Sequence, residues 1–277
     1  MAIDYRKCAA TQHFNTGTSK CPLDPDKIVG LIIVEQGVKL PDTLTAAALK
    51  TACHADRPNR IMPIKGIVEY AVSGGEAQTS ATGYGPNKVT GYSPRTDTFT
   101  LEGTDLALKA NLVRAKSAKL GMYPYDRSNV IYGVNDGTGK LAPIDLAGIY
   151  PGGQDWDSSG TEANLTVNAL LKDVEKILKD ADIIQADFDL DAALVPLTYV
   201  ELKQTGTSGS YKLVEHYGNL DVTPYYGDLL KTSGAILGAS SVTYDEANEV
   251  IKATGATGIA KPSVLLEKGI EGIEGYE

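Results

Sequence analysis

"LTVNALLKDVEKILKDA", residues 165–181, is the stretch on which the reading of the fold turns. Val167, Leu170, Leu171, Val174, Ile177, Leu178 and Ala181 recur at i, i+3, i+4 and i+7, the spacing of one stripe on an α-helix. Lys172, Asp173, Glu175, Lys176, Lys179 and Asp180 fill the opposite face. A helix with a single apolar stripe must lie on another layer, and the sequence on either side supplies strands. The stretch therefore predicts an amphipathic helix packed on the flank of a sheet through Val167, Leu170, Leu171, Val174, Ile177 and Leu178.

The strands surround it. "IVGLIIVE" at 28–35 is a short apolar run. "KGIVEYAV" at 65–72 places Val68, Tyr70 and Val72 on one face and Ile67, Glu69 and Ala71 on the other. Gly74 and Gly75 interrupt it, and "TGYGPNKVTGYSPRTDTFTLEG" at 82–103 turns on Gly and Pro and returns in alternation. "KLGMYPYD" and "NVIYGVND" read as strands, and "NDGTGK" at 135–140 as a hairpin turn. "TYVELKQ" and "YKLVEHY" flank a flexible "TGTSGS" tip. Further helices are expected in "DTLTAAALKTACHAD" (42–56), in "TDLALKANLVRAKSA" (104–118), where a strand is the alternative through the N-terminal part, and at about 244–254, where Thr243 and Glu246 form a capping box and Gly255 a stop. The expected class is mainly β, of the α+β kind. It is a β-sandwich or partial barrel with a flanking amphipathic helix, a long hairpin and an extended N-terminal arm. The expected division is an arm at 1–26, a β-rich domain at 27–225, and a C-terminal extension at 226–277 ending in an acidic tail that needs a partner to order.

Composition excludes more than it selects. The chain has 277 residues and a net charge of −9, which repels nucleic acid. No apolar run reaches the ~20 residues of a membrane helix. The N-terminus has no apolar signal core, so synthesis in the cytosol without export is expected. Cys8, Cys21 and Cys53 lack zinc spacing, and His13, His54 and His216 lie far apart. "GVNDGTGKL" at 133–141 misses the phosphate-loop spacing and has Leu141 where a Ser or Thr is needed. "DFDLD" at 187–191 lacks the Gly and Glu of a calcium loop and reads as a strand with an acidic face. No nucleophile elbow is present. No catalytic, cofactor or metal site is expected, and an enzyme is the least favoured class.

The order of elements — irregular arm, paired strands with a long polar hairpin over 66–103, a striped helix between strands, and "TYVELKQTG" entering another hairpin — resembles the tail-tube (major tail) proteins of tailed bacteriophages. The resemblance covers roughly residues 28–225. It implies a structural virion protein whose copies form stacked rings, commonly hexameric, around a conduit through which DNA passes without specific binding. It also implies partners that are copies of itself and other virion proteins, no membrane, and assembly in the host bacterial cytoplasm. On that reading the hairpin makes contact with the next subunit: Gly and Pro86 shape its turn, Tyr84 and Tyr92 offer flat amphipathic surface, and Phe99 and Leu101 lie on the face to be buried. An acidic lining would let a duplex slide, which suits Asp187, Asp189 and Asp191 as a channel-facing row. The alternatives are another virion component (head decoration, head fibre or connector ring) or a carbohydrate-binding or adhesive module displaying Tyr and the lone Trp156.

Overall fold

The computed structural model describes residues 26–276, with 159 and 161 excepted. Residues 1–25 of the expected arm lie outside the described residues. The fold is mainly β, of the α+β kind, with several sheets and none closed into a barrel. The chain forms two compact units. The first holds residues up to 49 together with 63–193, and the second holds 50–62 together with 194 onward.

The first unit opens with β1 (Ile28–Glu35), whose centre is buried on both faces. Helix α1 (Ala46–Cys53) carries the chain into the second unit and β2 (Ile61–Lys65) returns it. Then come β3 (Ile67–Gly74), β4 (Ala77–Ser80), β5 (Lys88–Tyr92), β6 (Arg95–Glu102), α2 (Leu106–Arg114), β7 (Leu120–Asp126), β8 (Val130–Asn135) and β9 (Leu141–Ala142). β10 (Ile144–Asp155), β11 (Asn164–Leu171), α3 (Val174–Asp180), β12 (Ala181–Gln185) and α4 (Leu190–Ala193) complete it. The main sheet runs β12-β8-β7-β10-β11-β6-β3, and β1 lies antiparallel along β7.

β10 makes the corner. Its first residues, Ile144 and Asp145, pair with β7, and the remainder pairs with β11 through two register shifts. Bulges bend a strand and raise its twist, so the sheet curls into a partial barrel. β3 comes back to touch β1, but the two do not pair. The core fills the curl with Ile32, Tyr123, Tyr125, Phe99, Ile149 and Val167, all almost fully buried. Gly30 is required there: a Cβ on it would sit 2.2 Å from the Tyr125 ring, which covers β1 at that register. Asp126 is buried without strain on charge, because it accepts hydrogen bonds from Ser128 N, Val130 N, the Tyr132 hydroxyl and Asp26 N at 2.7–3.1 Å and so builds the β7–β8 turn.

The expected helix over 165–181 is corrected. Residues 164–171 form β11, hydrogen-bonded to β10 on one side and β6 on the other. Leu165, Val167, Ala169 and Leu171 point into the core, and Leu170 on the other face is only half-buried. Seven residues satisfy both periods, and Thr166 and Val167 are β-branched, so two waiting neighbour strands decide. A helix does begin after it. Asp173, in extended conformation, accepts a hydrogen bond from Lys176 N at 2.9 Å and caps α3. α3 has no buried residue: Val174 and Ile177 are half-buried and Leu178 is exposed.

The second unit contains β13 (Thr198–Gln204), β14 (Ser210–Glu215), α5 (Thr223–Tyr226), β15 (Ile236–Leu237), β16 (Val242–Asp245), β17 (Val250–Ala253), β18 (Gly258–Ile259), α6 (Pro262–Glu267) and β19 (Ile273–Gly275). Its sheet runs β16-β17-β14-β13-β19 with β19 parallel to β13. Its own core includes Val200, Leu213, Leu230, Ile251, Leu265 and Ile270. The expected break at 225/226 is therefore replaced by one at 193/194, with 50–62 drawn in from far along the chain. The helix expected at about 244–254 is a hairpin, β16–β17. Asp245 accepts from Asn248 N and Nδ2 at 3.3 and 3.1 Å and from Lys252 Nζ at 2.8 Å, and this turn replaces the capping box.

The acidic tail also finds its partner at home. Ile270 and Ile273 are core residues, and Glu274 pairs with the buried Arg60 at 2.7 Å. Glu271 pairs with Lys50 at 3.0 Å. His54, fully buried, accepts Gly272 N at Nε2 (3.0 Å), while Nδ1 faces the Lys50 carbonyl at 2.8 Å and so carries the proton.

Candidate assembly surface

β3 and β6 close the main sheet beside β11, and beyond them β4 and β5 continue as a two-stranded ribbon. β3 and β6 pair from Ile67–Leu101 to Gly74–Arg95, and β4 and β5 continue from Ala77–Tyr92 to Ser80–Lys88. Every residue from Glu76 to Thr90 is exposed. Among the described residues β4 and β5 pair only with each other, and α3 approaches β5 from the side. A two-stranded ribbon is marginal in water by itself, so something must hold its base.

The base is held by a kink and a charge lock. Gly74 has φ +80°, and a Cβ there would meet the Pro94 carbonyl oxygen at 2.0 Å, so only glycine fits. The Ser93 hydroxyl accepts Gly75 N at 2.9 Å and Glu76 N at 3.0 Å and donates to the Glu76 carboxylate at 2.8 Å. One turn below, Arg95 grips Asp97 in a two-point pair at 2.7 and 3.1 Å. The Tyr70 hydroxyl donates to Asp97 Oδ2 at 3.0 Å and accepts from Arg95 Nη2 at 2.9 Å. Burial, with the Asp97 carboxylate second, pushes the Tyr70 phenol up to about 12. Asp97 is almost fully buried, so its charge is meaningful only because all of these donors converge on it.

Of the expected contact residues, Tyr84, Pro86 and Tyr92 are exposed, with Tyr84 at the turn. Phe99 and Leu101 are not available to a neighbour: they are buried in the chain's own core, and Tyr70 stacks on Phe99 with ring centroids 5.1 Å apart. Alternation correctly marks a buried face there, but the layer that buries it belongs to the same chain. Other residues offer apolar surface instead. Val68 (59% exposed) and Val72 (48%) stand on β3 on the same face as Tyr70, at the end of the sheet where, among the described residues, β3 has no outer partner strand. Val89 is likewise exposed, on β5. The signal was in the sequence, in the alternation of "KGIVEYAV", but alternation alone does not say which strand is last.

The acidic row is corrected. Asp187 lies in a bend, Asp189 caps α4 by accepting Ala192 N at 3.2 Å, and Asp191 belongs to α4. Asp191 is moreover paired with Lys65 at 3.1 Å and takes the Tyr125 hydroxyl bond at 3.0 Å. The three carboxylates share no strand face, because Asp189 serves a helix N-terminus in preference to a ladder. Trp156 is exposed. Among the described residues no helix is long and apolar enough to cross a membrane. No protein-family model matches the chain, and no curated protein matches it in sequence.

Proposed function

We propose that the chain is a structural protein of a virion, of the tail-tube kind, whose copies assemble through the ribbon and the open β3 edge into rings or a tube that conducts DNA. The observation that carries this reading is the run of exposed residues Glu76–Thr90 on a ribbon whose base is rigidly locked. A chain gains nothing for its own core from such a ribbon, whereas an interface uses its tyrosines and valines. Val68, Tyr70 and Val72 add exposed apolar surface on β3, an edge that is unpaired among the described residues, a feature that soluble monomers generally blunt. The net charge of −9 suits a conduit that must not hold DNA.

The test is removal of the ribbon with its base intact. Ser93 N already donates to the Glu76 carbonyl at 2.9 Å, the closing bond of a hairpin. Residues 77–92 can therefore be replaced by Asn-Gly, which makes a two-residue turn there. Concentrated wild-type protein is expected to form rings or tubes by electron microscopy. The shortened protein should keep its circular dichroism and sediment as a monomer. Normal assembly by the shortened protein would remove the ribbon from the interface.

A further inference from the structure

A groove of about 290 Å³ opens in the second unit. Its floor is Val200, Val222 and Ile273, all core residues, and its walls are Leu220, Tyr225 and Tyr226. Thr198 also lines it, and its one charged residue is Glu215. The register explains why it is there. Glu215 pairs directly with Val200 across β13–β14, so the two side chains share the core-facing side of the sheet.

Glu215 is half-buried, and among the described residues its carboxylate makes no hydrogen bond or ion pair. The other recessed carboxylates of this unit are all served. Asp221 holds Lys212 at 2.6 Å, Asp245 holds Lys252 at 2.8 Å, Glu274 holds Arg60 at 2.7 Å, and Glu201 holds His216. A carboxylate set against valine, isoleucine and leucine loses hydration and gains nothing in return unless a cation joins it. Its field is felt in the groove: after burial, Glu215 is the group that pushes the Tyr226 phenol up. Tyr225, 75% exposed, stands at the rim and can lie over whatever enters.

These features define the ligand. The apolar floor favours methylenes, the single carboxylate favours one positive charge at their end, and tyrosine faces add cation–π attraction. An anion is repelled, and a neutral alkyl chain would desolvate Glu215 without compensation. A lysine side chain, with four methylenes and a terminal ammonium, meets both requirements. We propose that this groove is a binding site for a lysine side chain presented by a protein partner, a role separate from assembly through the ribbon.

The test uses the full chain and the peptide acetyl-Gly-Lys-Gly-amide, followed by amide chemical shifts. Saturable shifts are expected at residues 213–226 and 272–274. The norleucine peptide, isosteric but uncharged, should bind about tenfold more weakly, the loss of one charge contact. Glu215→Gln, with folding checked by circular dichroism, should bind both peptides equally. Tyr225→Ala, a change at an exposed rim residue, should weaken the lysine peptide about threefold. Equal binding of the two peptides by the wild type, or a lysine preference that survives Glu215→Gln, would overturn the proposal. A free diamine that binds as tightly as the lysine peptide would overturn the assignment to a protein partner.

Discussion

Asp97 and Glu274 show what single charges do in this protein. Asp97 is buried and held by Arg95 and Tyr70, so removing it leaves a guanidinium half out of water with no counter-charge. Asp97→Ala is expected to destabilise the first unit by about 3 kcal/mol, the usual result of breaking a buried pair from one side. The change in urea midpoint measures it. Tyr70 titrates from about 12 in the fold against 10 when unfolded. A raised phenol pKa favours the fold fully below pH 10, and that contribution is lost as pH climbs from 10 through 12, where the unfolded chain gives up its proton first. Melting temperature should therefore fall more gently between pH 10 and 12 in Tyr70→Phe than in the wild type. An equal slope in both would show that the lock holds no neutral phenol. Glu274 plays the corresponding part in the second unit, since the Arg60 side chain is only 6% exposed. Glu274→Ala should cost about 3 kcal/mol, while the paired change Arg60→Met with Glu274→Leu should recover most of it.

At the scale of elements, β11 and α3 separate what residue pattern can decide from what it cannot. "LTVNALL" fits a helical stripe and a strand alternation equally, and the choice is made by β6 and β10, residues 62 or more positions earlier and just before it in the chain. Val167→Asp puts a charge at a fully buried position between two strands and is expected to cost several kcal/mol or prevent folding. Leu178→Asp, on the exposed face of α3, should stay within about 0.5 kcal/mol. Similar losses from both would return 165–181 to a single packed helix. Elsewhere local chemistry was sufficient. β1, β7 and β8 and the 135–140 turn are where their residues place them, and α1 and the Asp105-capped α2 form inside the stretches expected for them, shorter at both ends. The long hairpin was legible too, because its glycines, prolines and alternation are all local signals. The direction of its buried face was not, since Phe99 and Leu101 look the same whether a neighbour or their own sheet covers them. Asp173, Asp189 and Asp245 mark the other failures: each spends its side chain on a nearby backbone amide, and hydrophobic periodicity does not register that choice.

For the whole molecule the decisive feature is that the second unit is discontinuous. Residues 50–62 carry little apolar signal of their own, yet Cys53, His54, Arg60 and Ile61 are all buried. Their partners lie more than 200 residues away, in Gly272 and Glu274, and no composition shift near 50 or 62 announces it. A boundary read along the chain could not have found a unit assembled from two separate pieces. The consequence is a specific response to truncation. A chain ending at Ala193 keeps the whole main sheet and its core, but it exposes a segment built to be covered: a histidine with no amide to accept, a guanidinium without its carboxylate, and Cys53 in water. Such a chain is expected to aggregate, although its first unit retains all of its own pairings. Replacing 50–60 in the same truncated chain with a Gly-Ser linker should restore solubility, because the linker removes the uncovered groups and leaves β2 paired with β1. Amide exchange would then show β7 and β11 protected as in the full chain. If the simple truncation is soluble and protected, residues 50–60 do not depend on the rest of the second unit for their burial. If the linker version fails to protect β7 and β11, the first unit does not hold its core without them.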